Sequence, residues 1–327
     1  MEDLAEQIKN MWEVNKTEFE ERLNDWLKSL EDRKKLKLIR EARSQFHQWY
    51  PLIIYISVAR AKSNSRVLFS LRFFGQEVAE LFVKDKKVIL RLNKRHSEKN
   101  KKYFESTLKD GDYDWKGKEA KDFRAYFKNL ALSEEGIPKV KVCEHRIESK
   151  FIQEMLKGSG KFGVSGLKIK PVTIEGCPLQ FPVLISASTG RPKKGKGNID
   201  ILARHQGQNN KTRLSVWELK KPNTYNHPAS QAYIYALTLL YILRHTKNGP
   251  KWYKLFGYKS PIPKSIEIEA VVAITSNQKE KFNKEKTDLE KNTSFEIDGD
   301  KIELYAAYYM EEAQSIKLER HPFRENQ

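Results

Sequence analysis

A chain of 327 residues is long enough for two domains, and a composition of 39% hydrophobic and 11% aromatic residues can build a core. Lys and Arg number 61 against 43 Asp and Glu, a formal net charge of +18 that favours a polyanionic partner, nucleic acid first. No apolar run approaches the length that spans a bilayer, the opening MEDLAEQIKN lacks the basic-then-apolar design of a signal peptide, and Cys143 and Cys177 lack metal-ligand spacing, so the expectation is a soluble, cytoplasmic protein with free thiols.

Residues 1–48 read as helical and heavily charged. Phe19, Leu23, Trp26, Leu27 and Leu30 recur at helical spacing, which predicts a helix docked on its own domain. Arg33–Arg43 adds a basic stripe, read as a solvated face. From Pro51 the pattern changes to strands over 52–59, 65–74, 76–84 and 87–93, with tight turns at Gly75 and at Lys84–Lys86, a small antiparallel meander. Asn93–Phe104 is basic with an aromatic end, which fits either a surface loop or a nucleic-acid contact. Asp114–Leu130 predicts a helix with Phe123, Tyr126 and Phe127 in the core. Together, residues 1–135 make an N-terminal α+β domain without a motif that assigns its role.

Gly and Pro interrupt the helical patterns near Ser133–Val140, and a second domain is expected over 140–327. Its first helix, 142–156, buries Phe151, Ile152 and Met155. At 100° per residue Glu148 lies at the centre of that arc, Glu144 one turn earlier on nearly the same line, and Glu154 well away from it. His145 reads as exposed or structural. The Gly-rich, basic run 157–171 has no P-loop pattern and is expected to be a flexible connection. A strand comes next, over 178–189. Then Arg191, Lys193, Lys194 and Lys196 crowd into a loop, either a rim that grips phosphates or a solvated loop.

Residues Gly197–Lys220 read as a β-hairpin, with strands over 199–205 and 212–220 and a turn at Gly207–Asn210. Side chains alternate along a strand, so Val216, Glu218 and Lys220 share one face and Trp217 and Leu219 the other. Folding about residue 209 sets Asp200 opposite Glu218. Opposed like charges destabilise a sheet unless a cation sits between them, and two carboxylates with a nearby carbonyl are hard oxygen ligands suited to Mg²⁺ or Mn²⁺. Lys220, on the same face, can orient a water or steady a phosphate's developing charge. An amphipathic helix over 229–244 places Gln231 and Tyr235 four apart on one face.

Asp200, the Glu218-Leu219-Lys220 triplet and the Gln231-x-x-x-Tyr235 pattern together resemble the PD-(D/E)XK nuclease superfamily, in its RecB-like branch. Ile199 stands where that superfamily commonly has Pro. The resemblance implies an α/β fold with a restriction-endonuclease-like core, a central mixed sheet flanked by helices. It implies Mg²⁺, with Mn²⁺ able to substitute, held by Asp200, Glu218, the Leu219 carbonyl and a glutamate of the first helix, Glu148 ahead of Glu144 and Glu154. Lys220 would position the attacking water, with Gln231 and Tyr235 supporting Lys220 or holding backbone phosphate. The implied activity is a metal-dependent deoxyribonuclease, endonuclease ahead of exonuclease, acting in DNA processing or antiviral defence. Implied partners are DNA, a second copy of the chain, and a helicase or defence-system protein. The alternatives are an effector held inactive by an N-terminal sensing domain, and a catalytically silent nucleic-acid-binding protein.

The remaining elements are an irregular aromatic stretch over 249–263, an apolar strand over 265–277 that fits the central sheet, a charged helix over 279–292, a hairpin about Asp298-Gly299-Asp300, and a loosely ordered tail after Glu311.

Overall fold

The computed structural model describes residues 3–31, 33–44, 52–58, 68–133, 143–156, 168–206, 211–259, 261–312, 315–320 and 323. The expected turn Gly207–Asn210, the run 157–167 and the boundary 134–142 lie outside them.

The N-terminal helical region is two helices, α1 (Leu4–Ser29) and α2 (Arg33–Ser44). The Asp3 carboxylate caps α1 by accepting the Ala5 N–H at 2.9 Å. Ile8, Trp12, Phe19, Leu23, Trp26 and Leu27 form its buried stripe. The meander comes next as β1 (Leu52–Ser57), β2 (Leu68–Phe73), β3 (Gln76–Lys84) and β4 (Lys87–Leu92), then α3 (Lys94–Phe104), β5 (Gly111–Asp114) and α4 (Lys118–Leu132). Phe123 and Phe127 are buried, and Tyr126 packs against that core.

The second half runs α5 (Cys143–Leu156), β6 (Lys168–Pro171), β7 (Thr173–Ile174), β8 (Cys177–Gln180), β9 (Pro182–Ser186), β10 (Lys193–Asn198), β11 (Ile201–Gln206) and β12 (Thr212–Leu219). It continues through α6 (Pro228–His245), α7 (Gly249–Leu255), β13 (Glu267–Ile274), α8 (Lys279–Asn292), β14 (Glu296–Ile297), β15 (Asp300–Glu311) and β16 (Ile316–Arg320).

The fold is mixed α/β. One sheet has the order β5-β4-β3-β2-β1-β8-β7, antiparallel through the meander, with β8 parallel to β1. β9 and β10 form a separate two-stranded sheet, and a second large sheet has the order β14-β15-β13-β12-β11-β6, with β16 added beside β15. Its β6, β11 and β12 are antiparallel neighbours, while β13 and β15 run parallel to β12. Alternation along these strands divides the core. Leu202, Val216, Ala270 and Val272 join the cluster that contains α6, whereas Ile201, Trp217, Val271 and Tyr309 join the cluster that contains Ile147, Phe151 and Ile152 of α5. The α6 cluster also holds α1 and much of the first sheet, so the two halves of the chain share a core. Trp12 of α1 lies 5.7 Å, ring to ring, from Tyr241 of α6. No helix among the described residues is long and apolar enough to cross a membrane.

Six segments differ from expectation. The strand expected over 178–189 is two, β8 in the first sheet and β9 paired with β10. Residues 94–104 are a helix, because Asn93 caps His96 N–H at 2.9 Å and the buried positions His96, Asn100 and Phe104 recur four apart. Only the last is apolar, so no hydrophobic period marks it. The expected connection ends in a strand, β6, at the edge of β11. The cation-rich loop is a strand, β10, because β9 offers it an antiparallel edge, with an irregularity between Lys194 and Gly197. Part of the aromatic stretch is α7, with Pro250 in its first turn and Trp252 buried. The tail contains β16, whose Ile316 and Leu318 alternate into the α5 cluster.

The tip of the β2–β3 turn docks on α5. Gly75 has φ +80, and a Cβ there would lie 2.0 Å from the His145 carbonyl oxygen. Gly75→Ala therefore combines backbone strain of about 1–3 kcal/mol with a steric clash. The expected outcome is a drop of more than ~2 kcal/mol in chemical unfolding; a neutral result would place the turn away from α5.

Cys177 is buried, and burial pushes its thiol up to about 12. In a Cys143→Ser chain at pH 8, a thiol reagent is expected to leave Cys177 unmodified until denaturant is added. Prompt labelling of the folded chain would contradict that environment.

Candidate active site

The hairpin brings Asp200 and Glu218 together by register. Ile201 pairs with Trp217, so the preceding residue, Asp200, lies opposite Glu218. Asp200 Oδ2 accepts the Leu219 N–H at 2.8 Å, which fixes its carboxylate at the end of β12. The backbone of Lys220 is held from both sides: its N–H donates to the Ala273 carbonyl at 3.0 Å, and its carbonyl accepts the Tyr309 hydroxyl at 2.7 Å. Its ammonium donates to Glu218 Oε1 at 2.7 Å, with the two side chains only 11% and 7% exposed.

Helix α5 adds Glu148, as its place on the buried arc predicts. The side chain is buried, and its Oε1 has no hydrogen-bond partner. Two nitrogen groups stand near it at longer range, the Arg72 guanidinium with Nη1 at 3.9 Å from Oε1 and the His145 imidazole with Nδ1 at 3.6 Å from Oε2. His145 is half-exposed and borders the site. Glu144 acts on Glu218 and Lys220 electrostatically, so it too faces the cluster.

The charges are out of balance. Burial, then Glu218 and Glu148, hold the Asp200 carboxyl well above the usual carboxylate range, against the Leu219 N–H and Lys220. Burial and Glu144 raise Glu218, against Lys220. Burial pulls the Lys220 ammonium down, but Glu218, Asp200 and Glu144 outweigh it and raise its pKa. A surplus of buried carboxylate oxygen, including one oxygen without a partner, fits a hard divalent cation in donor type and charge. The spacing is wider than a closed ligand set. Among the described residues, three carboxylate or imidazole donors lie within 4.8 Å of one another only at Glu77, Glu80 and His96, while Glu218 is drawn to Lys220.

Helix α6 places Tyr235 against the same cluster, with Gln231 one turn earlier on the helix. Both are buried, and the Gln231 side-chain oxygen has no hydrogen-bond partner. Burial, with Glu218 next, pushes the Tyr235 hydroxyl up to about 12. The backbone at Gly197 passes so close that a Cβ would lie 2.9 Å from the Tyr235 ring. The four cations Arg191, Lys193, Lys194 and Lys196 are exposed before and along β10, and Lys194 pairs with Glu18 of α1 at 2.7 Å.

Sequence reasoning missed Arg72. It is buried on β2, its Nε donates to Ser70 Oγ at 3.1 Å, its Nη2 donates to Gln180 Oε1 at 2.7 Å, and it lies 4.7 Å over the Tyr55 ring. SLRFF reads locally as a strand with an outward Arg, and only the docking of the first sheet on α5 brings that side chain to Glu148. Arg72 and His145 also line a cleft of about 620 Å³ between the first sheet, α3, α5 and β10.

Fold and site define a mixed α/β protein with a buried carboxylate–lysine cluster at the end of a central hairpin. No family model, no curated protein and no solved structure matches the chain.

Proposed function

We propose that this chain is a metal-dependent nuclease that hydrolyses phosphodiester bonds of nucleic acid, with DNA favoured, on a restriction-endonuclease-like core of the PD-(D/E)XK superfamily. The observation that carries the reading is the meeting of Asp200, Glu218 and Lys220 at the end of β12 with Glu148 of α5 beside them. The order of helix, antiparallel strands, hairpin, helix and parallel strand supports it, as do Gln231 and Tyr235 on α6. The net charge of +18 and the exposed cations of β10 suit a polyanion.

Asp200, Glu218, the Leu219 carbonyl and Glu148 are the residues that would hold Mg²⁺ or Mn²⁺. When bound, such an ion lowers the pKa of a coordinated water and neutralises phosphate charge. Lys220, fixed by its backbone on both sides, directs its ammonium to the place where negative charge develops on the phosphate. Tyr235, its hydroxyl pushed up to about 12, stays protonated at neutral pH and is available to donate a hydrogen bond to a phosphate oxygen. Gln231 offers an amide whose oxygen is otherwise unused.

Incubation with supercoiled plasmid, linear duplex and single-stranded DNA, in Mg²⁺, Mn²⁺ or EDTA, tests the reading. Cutting that requires metal is expected, with nicked or linear plasmid marking an endonuclease; equal cutting in EDTA would refute it. A second reading, a nuclease held off by its N-terminal half, draws on the Arg72–Glu148 contact. Arg72→Ala raises the cutting rate if that contact is inhibitory and does not raise it otherwise.

A further inference from the structure

The basic, aromatic-ended segment 93–104, which the nuclease site leaves unused, forms one wall of the cleft beside that site. The volume, about 620 Å³, is that of a pocket that encloses a small ligand. Helix α3 presents Arg95, Lys99 and Tyr103 to it at successive four-residue steps. The first sheet contributes Arg72, Glu77 and Glu80, and the far wall carries His145, Lys196 and Asn198. Arg72 and His145 both approach Glu148, and Asn198 is two residues from Asp200, so the cleft borders the carboxylate cluster.

Arg95, Lys99 and Lys196 suit phosphates. Glu77 and Glu80 do not, since carboxylates repel them. Carboxylates are acceptors, and the donors a DNA strand offers them are the amino and ring N–H groups of its bases. Glu77 is held in place by the Ser70 hydroxyl and by His96 Nε2, 3.0 Å from its Oε1. Tyr103 supplies a partly exposed ring on which a base can stack. In a duplex the ring faces are stacked inside and the pairing edges are occupied. A strand that meets cations, a ring face and carboxylate acceptors in one cleft is unpaired there.

The geometry points to a binding site for a single-stranded segment of nucleic acid, its bases against Tyr103, Glu77 and Glu80 and its backbone along Arg95, Lys99 and Lys196. It deepens the nuclease reading by naming the form of the substrate, and rests on that reading only for the chemistry beside Glu148.

The test is fluorescence anisotropy of the full chain with short oligo(dT), oligo(dC) and oligo(dA) and with a duplex of equal length, all in EDTA so that binding is read without cutting. Single strands are expected to bind at least about tenfold more tightly than duplex, and Tyr103→Ala to weaken them about tenfold, the scale of one lost stacking contact. Tyr103→Phe keeps the ring and keeps the binding. The pair Arg95→Glu with Lys99→Glu removes most binding, and Glu80→Gln changes the order of preference among the three oligomers. Equal affinity for duplex, or single-strand affinity untouched by Tyr103→Ala and by the charge reversals, overturns the inference. Lys220→Ala is measured alongside, for cutting and for binding. Strand binding through the cleft without metal-dependent cutting by either the wild type or Arg72→Ala refutes the nuclease reading and upholds the cleft; Lys220-dependent cutting of duplex without strand binding does the reverse.

Discussion

Lys220→Ala is expected to cut DNA at least about a hundredfold more slowly than the wild type in Mg²⁺, the scale set by a positioned group that stabilises developing charge. The residue is held for one purpose. Two backbone hydrogen bonds, to Ala273 and from Tyr309, fix its main chain, and Glu218 fixes its ammonium at 2.7 Å. Removing the ammonium leaves Glu218 buried beside other carboxylates without its counter-charge, so some loss of stability accompanies the loss of rate. Melting in Mg²⁺ and DNA binding in EDTA separate the two effects, and both are expected to persist. Asp200→Ala is expected to lose cutting to a similar degree for a different reason, the loss of a metal ligand. Cutting by both variants at the wild-type rate would remove the site from the chemistry.

Asp200→Asn is expected to be more stable than the wild type when metal is chelated. Burial, Glu218 and Glu148 raise the folded Asp200 carboxyl well above its unfolded value. For an acid raised in this way, the folded state keeps its proton at pH values where the unfolded chain has released it. Its contribution to stability is therefore greatest below the unfolded pKa and declines as pH rises towards the folded one. At pH 8 Asn removes a carboxyl whose ionisation the fold opposes, while its side-chain oxygen can still accept the Leu219 N–H. A rise of at least about 2 °C in melting temperature in EDTA is expected, the scale on which ~1 kcal/mol appears in domains of a few hundred residues. Mg²⁺ is expected to raise the melting temperature of the wild type and not of Asp200→Asn, since a ligand stabilises only the state that binds it. A variant less stable than the wild type in EDTA would mean that Asp200 is a structural carboxylate.

Much of the site is legible in the sequence because it is built from local periods. The two-residue period of the strands and one turn position fix Asp200 opposite Glu218, and the helical period selects Glu148 and pairs Gln231 with Tyr235. Arg72 and the cleft have no such signal. They arise where the first sheet docks on α5 through Gly75, a contact between residues about 70 positions apart that no window of sequence contains. The strand β10 is hidden by its composition, since Lys and Gly are depleted in strands and it forms only because β9 lies beside it. The helix α3 is hidden because its buried face is His96, Asn100 and Phe104, two of them polar, with Asn100 satisfied by the Val78 carbonyl at 2.7 Å.

Titration with Mn²⁺, followed by electron paramagnetic resonance in the wild type, Asp200→Asn and His96→Gln, tests the carboxylate cluster as a metal site most directly. A bound Mn²⁺ signal is expected in the wild type, persisting in His96→Gln and disappearing in Asp200→Asn. Binding that survives in Asp200→Asn and is lost in His96→Gln would place the ion at Glu77, Glu80 and His96 and contradict the carboxylate cluster as the metal site.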